Sequence, residues 1–384
     1  MLKRLFSLIL FVITLFSASF SSAQEVDGEG MEIDVTSAKS VILTESVSGT
    51  VIIEKDADTK FEVAGLVRLA PLLVVCRAFD DGSLSKDDVV TVSDAASKIS
   101  GPTAFLETHE KISAELLLKS AIMINAGDAV YALCEKLCGA ETAFVQKMNS
   151  CLEELGVDAV YDDINGAGVV LSARDLAKLG KALSKSETFR NYSNLFYDSI
   201  THDDGRETEL ANPNKLLRYL SGCIGIATGS SNEAGYCGVF AVSRNDTVYI
   251  CVTLGSKNSS ERFDLATEMT EYAFASYKTM KTAAKGQIIE EQISVSGGIK
   301  KSVDLVAKND CMLIFRNGSS YEAYAEIPEQ LEAPLSTEQT VGKIEYKDSD
   351  GNLIGTLELC PSENIEQASF WDNVLSVFRN YLHA

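Results

Sequence analysis

The sequence is poor in histidine and in positive charge. Its three histidines, His109, His202 and His383, lie far apart in the chain. This argues against a zinc site, and neither a metal nor a cofactor is expected. Lys and Arg number 34 against 55 Asp and Glu, which gives a formal net charge of −21. No basic tract offsets this charge locally, so nucleic acid and anionic lipid are disfavoured as bulk partners.

Long apolar runs are lacking beyond the N-terminus, and internal repeats are lacking throughout. No internal segment reaches the length that crosses a bilayer. The composition, 46% apolar and 23% charged over 384 residues, is that of a globular chain of two or three domains with a sizeable core.

The N-terminal segment differs from the rest of the chain. Two basic residues precede an apolar stretch that ends near Phe20, and small residues follow up to Ala23. This pattern predicts a secretory signal peptide at 1–23, with a retained membrane anchor as the alternative. Residues 24–35 are acidic and contain glycine, which predicts a flexible leader. We therefore expect an exported, extracytoplasmic protein.

The nine cysteines are an odd number, and all of them follow the predicted signal peptide. At least one must therefore stay unpaired within the chain. They are scattered, mostly in apolar segments, which predicts small buried hydrophobic side chains rather than a disulfide framework. Cys134 and Cys138 share a predicted helix face, but this spacing alone is a weak metal signal.

Hydrophobic periodicity predicts helices and strands in mixed order between residues 36 and 277. Strands are expected where β-branched or apolar residues cluster, at 40–53, 223–227, 236–243 and 247–255. Helices are expected at 61–79, 143–155, 262–277 and 172–183, the last capped by Ser172. Residues 114–137 predict two helices broken near Asn125-Ala126-Gly127. Together these elements indicate an α+β domain.

The composition changes after Lys278, where residues 278–285 predict a polar linker. Turn signals at Ser296-Gly297-Gly298 and Asp350-Gly351-Asn352 predict two β-hairpins. Residues 286–362 are therefore expected to form a small all-β domain.

Residues 363–384 predict an amphipathic C-terminal helix with a broad apolar stripe over 369–382. This helix has two interpretations. It could lie in a membrane interface, which would make the protein peripheral on the outer face of the cytoplasmic membrane. Alternatively, it could dock against its own domain or a partner.

Several short strings occur in an order and spacing typical of one family. They are Met148-Asn149-Ser150, Leu155-Gly156, Ser172-Ala173-Arg174-Asp175-Leu176, Asn212-Pro213-Asn214-Lys215-Leu216-Leu217, Thr228-Gly229, Glu233-Ala234-Gly235-Tyr236, and Val252–Gly255 followed by Arg262-Phe263. From about residue 36 the chain resembles the low-molecular-weight penicillin-binding proteins, the serine D-Ala-D-Ala carboxypeptidases of peptidase family S11. The resemblance implies a β-lactamase/transpeptidase-like domain, with an antiparallel sheet flanked by helices and a β-rich domain after it.

Members of this family use three motifs. A Ser-x-x-Lys on a helix supplies a nucleophile and, one turn later, its base. A Ser-x-Asn on a loop adds a hydroxyl and an amide, and a Lys-Thr-Gly on an edge strand adds a cation for the substrate carboxylate. A serine hydroxyl needs an adjacent base because it is a poor nucleophile by itself.

Five chemical positions of these motifs are changed in this chain. The Ser-x-x-Lys position carries Gly65 and Arg68, and the Ser-x-Asn position carries Asn125 and Gly127. The lysine of Lys-Thr-Gly is replaced by Ala227. Glycine has no side chain to acylate, and arginine keeps its proton, so it cannot act as a base. The sequence therefore predicts a catalytically degenerate member.

Some binding capacity is expected to remain. Thr228 and Gly229 persist on a predicted edge strand, which can pair with an extended peptide. Asn125 and Arg68 are also predicted to bind the peptide. Arg68 is a permanent cation and can hold a peptide carboxylate. Alternatively, Arg68 turns outward or pairs with Asp128 or another acid. A literal Ser-x-x-Lys at Ser83-Leu84-Ser85-Lys86 is expected to be a solvated loop.

Three functions follow from this pattern. The first is a non-catalytic module of the bacterial cell envelope that binds peptidoglycan stem peptides or a cell-wall protein. The second is an active carboxypeptidase with rearranged catalytic groups. The third is an interaction protein whose cleft is vestigial.

Overall fold

A computed structural model describes residues 33–349 and 351–369 of the chain. The predicted signal peptide at 1–23, most of the leader at 24–35 and most of the C-terminal helix at 363–384 lie outside the described residues. Among the helices that are described, none combines the length and the apolar character needed to cross a bilayer.

Within the described residues, the helices lie before residue 277. A 3₁₀ turn at Ala64–Arg68 precedes the first helix. The α-helices are α1 (Leu69–Asp80), α2 (Asp94–Ser97), α3 (Ala114–Ile124), α4 (Gly127–Cys138), α5 (Glu141–Glu154), α6 (Ala173–Lys185), α7 (Glu187–Ser193), α8 (Leu216–Tyr219) and α9 (Ser259–Ser276).

The strands of this part are short, except those of its main sheet. They are β1 (Ser40–Glu45), β2 (Val51–Lys55), β3 (Val89–Thr91), β4 (Lys111–Ser113), β5 (Tyr197–Thr201), β6 (Glu207–Ala211), β7 (Cys223–Ser231), β8 (Gly235–Arg244) and β9 (Thr247–Ser256). The main sheet is antiparallel, with the order β2-β1-β9-β8-β7. Within this sheet β1, the first strand in sequence, pairs with β9, the last in sequence, and Ser40 lies opposite Leu254.

Local sequence explains where the helices begin and end. At the start of α6, Ser172 accepts the backbone N–H of Asp175 at 3.1 Å, and Asp175 accepts the backbone N–H of Ser172 at 3.2 Å. This reciprocal cap satisfies two donors that a helix end leaves free. The helix α3 ends at Asn125, which adopts a left-handed conformation with φ of 55°. Both the predicted cap and the predicted break are confirmed.

The core of this domain lies between the sheet and the helices packed on it. Nine of the twelve side chains of α1 are buried, so this helix runs through the domain rather than over its surface. Helix α6 approaches the sheet closely at Gly180, where a Cβ would lie only 2.8 Å from Val239 Cγ1. The mixed α+β architecture is the one predicted.

A second, β-rich domain follows directly. Its strands are β10 (Tyr277–Ala283), β11 (Ile288–Ser296), β12 (Ser302–Ala307), β13 (Cys311–Arg316), β14 (Tyr321–Glu326), β15 (Gln330–Glu332), β16 (Gly342–Asp348) and β17 (Leu353–Pro361). One sheet has the order β14-β16-β17-β12-β11-β15, and β10 pairs with β13. Both predicted hairpins are present, as β11–β12 and β16–β17.

Two boundary predictions in this region are wrong. The expected polar linker at 278–285 is largely strand β10, in which only the two lysines are exposed and the backbone pairs with β13. Residues 363–369, expected to begin the C-terminal helix, are not helical. They bridge to the β-domain instead, where Ile365 is opposite Leu335 and Gln367 is opposite Gly298.

All nine cysteines are free thiols, and seven of them are buried. The other two, Cys138 and Cys223, are partly exposed. The prediction of small hydrophobic side chains in the core is confirmed.

Candidate functional site

Three separate segments meet at one place in the first domain. These are the 3₁₀ turn before α1, the junction between α3 and α4, and the edge strand β7. The amide Nδ2 of Asn125 donates to the carbonyl oxygen of Gly65 at 2.7 Å. A Cβ on Gly229 would lie 3.1 Å from the backbone nitrogen of Gly65. The structure therefore brings together the three motif positions that the sequence analysis aligned.

A side chain at position 65 would collide with the Asn125 amide unless that amide moved. A Cβ built on Gly65 would lie 2.9 Å from Asn125 Nδ2, closer than real Cβ contacts allow. The asparagine amide occupies the space into which a serine hydroxyl would project, and it is held there by its hydrogen bond to the Gly65 carbonyl.

Arg68 points into the site and is held by backbone carbonyls. Its Nη1 donates to Asn125 O at 3.2 Å, and its Nη2 donates to Ser100 O at 3.0 Å. Partial burial lowers the pKa of this guanidinium, and the charge of Asp128 opposes that shift. An arginine stays protonated even so, and the group is therefore a fixed cation rather than a base.

Two glycines make space for this arginine. A Cβ at Gly127 would lie 2.9 Å from Arg68 Cζ, and one at Gly101 would lie 3.2 Å from Arg68 Nη2. A larger residue at position 127 could not coexist with the guanidinium in this position. The changes at positions 68 and 127 are therefore sterically coupled.

The carboxylate of Asp128 does not form a hydrogen bond with Arg68. It is buried and accepts the backbone N–H groups of Ala104, Leu106 and Ala129, at 2.8 to 3.2 Å. Of the orientations considered from the sequence, the structure thus shows an inward guanidinium on carbonyl oxygens, with Asp128 acting only through its charge.

Asn125 is strained and incompletely satisfied. It has a left-handed backbone, and it is 7% exposed. Its Oδ1 is buried and has no hydrogen-bond partner. A buried acceptor without a donor is costly, so this oxygen is an unfavourable feature of the site as it is packed.

Strand β7 forms the other wall of the site. Ala227 and Gly229 lie on the face turned toward the 3₁₀ turn, because alternate residues of a strand share a face. Thr228 lies on the opposite face and is 9% exposed. The predicted edge position of Thr228 and Gly229 is confirmed, since among the described strands β7 pairs with β8 alone. The binding roles predicted for Arg68, Asn125, Thr228 and Gly229 stay predictions.

A second arginine at the site was missed by sequence reasoning. Arg262, in the first turns of α9, donates from Nη1 to Cys237 O at 2.9 Å and to Gly229 O at 3.2 Å. Burial lowers its pKa to about 10. The Arg262-Phe263 string was noticed only as a mark of resemblance. Nothing local indicated that its side chain reaches back to β7.

The literal Ser-x-x-Lys lies elsewhere. Ser83, Ser85 and Lys86 are exposed in the turn after α1, and Lys86 Nζ is 3.9 Å from Glu115. The prediction of a solvated loop is confirmed.

The family follows from a comparison of the whole chain with known proteins. Residues 27–258 match the D-alanyl-D-alanine carboxypeptidase family of peptidase S11. The chain belongs to this family. Residues 277–367 match the C-terminal domain of penicillin-binding protein 5, so the β-rich domain is also a family feature.

Individual relatives extend over nearly the whole length. D-alanyl-D-alanine carboxypeptidase DacF of Bacillus subtilis is 26% identical over 376 residues, which is 96% of each chain. The carboxypeptidase DacC of Escherichia coli is 28% identical over 94% of this chain and 92% of its own. The crystal structure of penicillin-binding protein 5 from Haemophilus influenzae superposes with a TM-score of 0.75 at 25% identity, over 86% of this chain and 98% of that one.

Proposed function

We propose that this protein is a non-catalytic member of the carboxypeptidase family, exported to the bacterial cell envelope, where its cleft binds peptidoglycan stem peptides. The observation that carries the proposal is the packing at the nucleophile position. Gly65 offers no hydroxyl, the Asn125 amide fills the adjacent space, and the neighbouring cation Arg68 is tied to two carbonyl oxygens. Removing a nucleophile alone eliminates most of the rate of a serine hydrolase.

Peptide binding is supported by what remains around these positions. Strand β7 has a free edge, and an extended peptide can add to such an edge through main-chain hydrogen bonds. Arg68 offers a positive charge for a C-terminal carboxylate.

Covalent labelling tests the loss of catalysis. The purified chain is incubated with a fluorescent penicillin, with penicillin-binding protein 5 from Haemophilus influenzae as the positive control. We expect label on the control and none on this chain, because acylation needs a nucleophile. A serine adduct on this chain would support the alternative, an active carboxypeptidase with rearranged catalytic groups.

Calorimetry tests the binding role. A peptide ending in D-Ala-D-Ala is titrated to millimolar concentration, and the matched peptide ending in L-Ala-L-Ala is the control. We expect saturable heat with the first peptide only, and weaker binding in the variant Arg68→Met, which keeps an unbranched apolar stem but removes the guanidinium and its charge. No heat with the D-Ala-D-Ala peptide would mean that the cleft is vestigial and would favour a partner protein as the ligand.

A further inference from the structure

A second cavity lies away from the motif residues. It has a volume of about 540 Å³ and opens between α1, the end of α5 and α6. This volume lies within the range of small-molecule sites, about 300–1,000 Å³. Part of its wall is apolar, formed by Leu73, Leu155 and Ala182.

The charge of this cavity is opposite to that of the protein. Four basic side chains line it, Arg77, Lys178, Lys181 and Lys185, against two acidic ones, Asp80 and Glu154. The chain as a whole has a formal net charge of −21. A local excess of positive charge in so acidic a protein marks a place where an anion is favoured.

Most of the other charges around the cavity have partners of their own. Arg77 donates to Glu154 at 2.8 Å. Asp80 accepts the backbone N–H of Thr188 at 3.0 Å. Lys178 donates to the Gly156 carbonyl.

Lys181 and Lys185 differ from these residues. Among the residues that the structure describes, neither lysine has a carboxylate within 4.0 Å. They lie one turn apart on the same face of α6, where two like charges repel each other. Lys181 is half-buried and Lys185 is exposed. Burial and the charge of Lys185 lower the pKa of Lys181, and the charge of Glu45 opposes that shift. The nearby Asp310 is already paired with Lys281 at 3.2 Å.

We propose that this cavity binds a small amphipathic anion, whose anionic group lies against Lys181 and Lys185. The apolar body of the ligand packs on Leu73, Leu155 and Ala182. Such a ligand relieves the repulsion between the two lysines and covers the apolar wall in one step. The proposal does not depend on the function proposed for the cleft, because none of these side chains belongs to the three motifs.

Fluorescence titration with two matched probes tests this site. The anionic probe is 8-anilinonaphthalene-1-sulfonate, and the neutral probe is N-phenyl-1-naphthylamine, which lacks the sulfonate. We expect saturable binding of the anionic probe and a dissociation constant roughly tenfold higher in the double variant Lys181→Ala/Lys185→Ala, the loss expected for a charge-assisted contact. Binding of the neutral probe should be unchanged in that variant.

Two further variants complete the test. The double variant Lys147→Ala/Lys215→Ala removes the same charge from exposed positions outside the cavity, and it should bind both probes as the wild type does. Ala182→Trp fills the cavity while keeping both lysines, and it should lose both probes even if the lysine variant does not fold. The proposal is overturned if the anionic probe does not saturate on the wild type. It is also overturned if that probe binds the cavity variants as tightly as the wild type, or if the surface variant weakens it equally.

Discussion

Placing a serine at position 65 should destabilise this protein. In the variant Gly65→Ser, the new Cβ lies 2.9 Å from Asn125 Nδ2 if nothing moves. The asparagine amide must therefore shift and give up its 2.7 Å hydrogen bond to the Gly65 carbonyl. The lost bond costs about 0.5–1.5 kcal/mol, and overpacking of a filled site costs about 1–3 kcal/mol.

One term opposes this loss. Replacing a glycine reduces the conformational freedom of the unfolded chain, which stabilises by about 0.4–1 kcal/mol where the native backbone permits a side chain. Position 65 does permit one, since it is not among the glycines with positive φ. The net expectation is a decrease of about 0.5–4 kcal/mol in the free energy of unfolding.

A double-mutant cycle separates the steric clash with the Asn125 amide from the other effects of the Gly65→Ser substitution. The variants Gly65→Ser, Asn125→Ser and their combination are unfolded in urea and followed by far-ultraviolet circular dichroism. In the Asn125→Ser background the obstructing amide is gone, so Gly65→Ser should cost little there, and the coupling between the two sites should be about 1–3 kcal/mol. An equal cost of Gly65→Ser in both backgrounds would refute the packing argument. The single variant should also remain unlabelled by penicillin, because Arg68 cannot act as its base.

Two more predictions concern buried titratable groups. The variant His202→Ala should lower the free energy of unfolding by about 1–3 kcal/mol, because the buried Glu110 loses the ring nitrogen that contacts it at 2.5 Å, while it keeps Arg206 at 3.4 Å and the backbone N–H of Glu107. The control Lys98→Ala, which breaks only an exposed ion pair, should have little effect in the same urea titration, and a similar loss in both variants would contradict this. Stability should also fall as the pH rises above about 9. Burial raises the pKa of thiols such as Cys76 and Cys134 above the ordinary value of 9.0. Above that pH the folded state therefore holds protons that the unfolded state releases. Thermal midpoints measured from pH 7.5 to 10.5 check this sign, and a midpoint that rises over that range would contradict it.

Local signals in the sequence predicted local structure well. The cap at Ser172 and the break after α3 depend on residues within a few positions of each other, and both were found as predicted. The hairpins β11–β12 and β16–β17 were also found, because glycine-containing turns mark them directly.

The predictions that failed concern elements whose pairing partners are distant in sequence. The polar residues of β10 predict a linker, and its pairing with β13 makes it a strand. The hairpin β5–β6 was not predicted either, and its contact from His202 to Glu110 joins residues far apart in the chain.

At the candidate site, too, the sequence predicted which residues come together but not the long-range contacts that hold them. Alignment of motifs identified Gly65, Arg68 and Asn125, and the structure brings them into contact. That Arg68 is held by Ser100 O, and that Arg262 reaches the carbonyl of Gly229, depends on how the chain folds back on itself. Such contacts have no signature in a single sequence.

The pairing of β1 with β9 has a consequence for synthesis. As the chain leaves the ribosome, β1 and β2 emerge long before β9. Ser40 therefore cannot pair until Leu254 has been synthesised. Contacts so distant in sequence slow folding, and an unpaired strand edge is prone to aggregate while it waits. A nascent chain of this topology therefore depends on being kept unfolded, or being shielded, until its last central strand has been made.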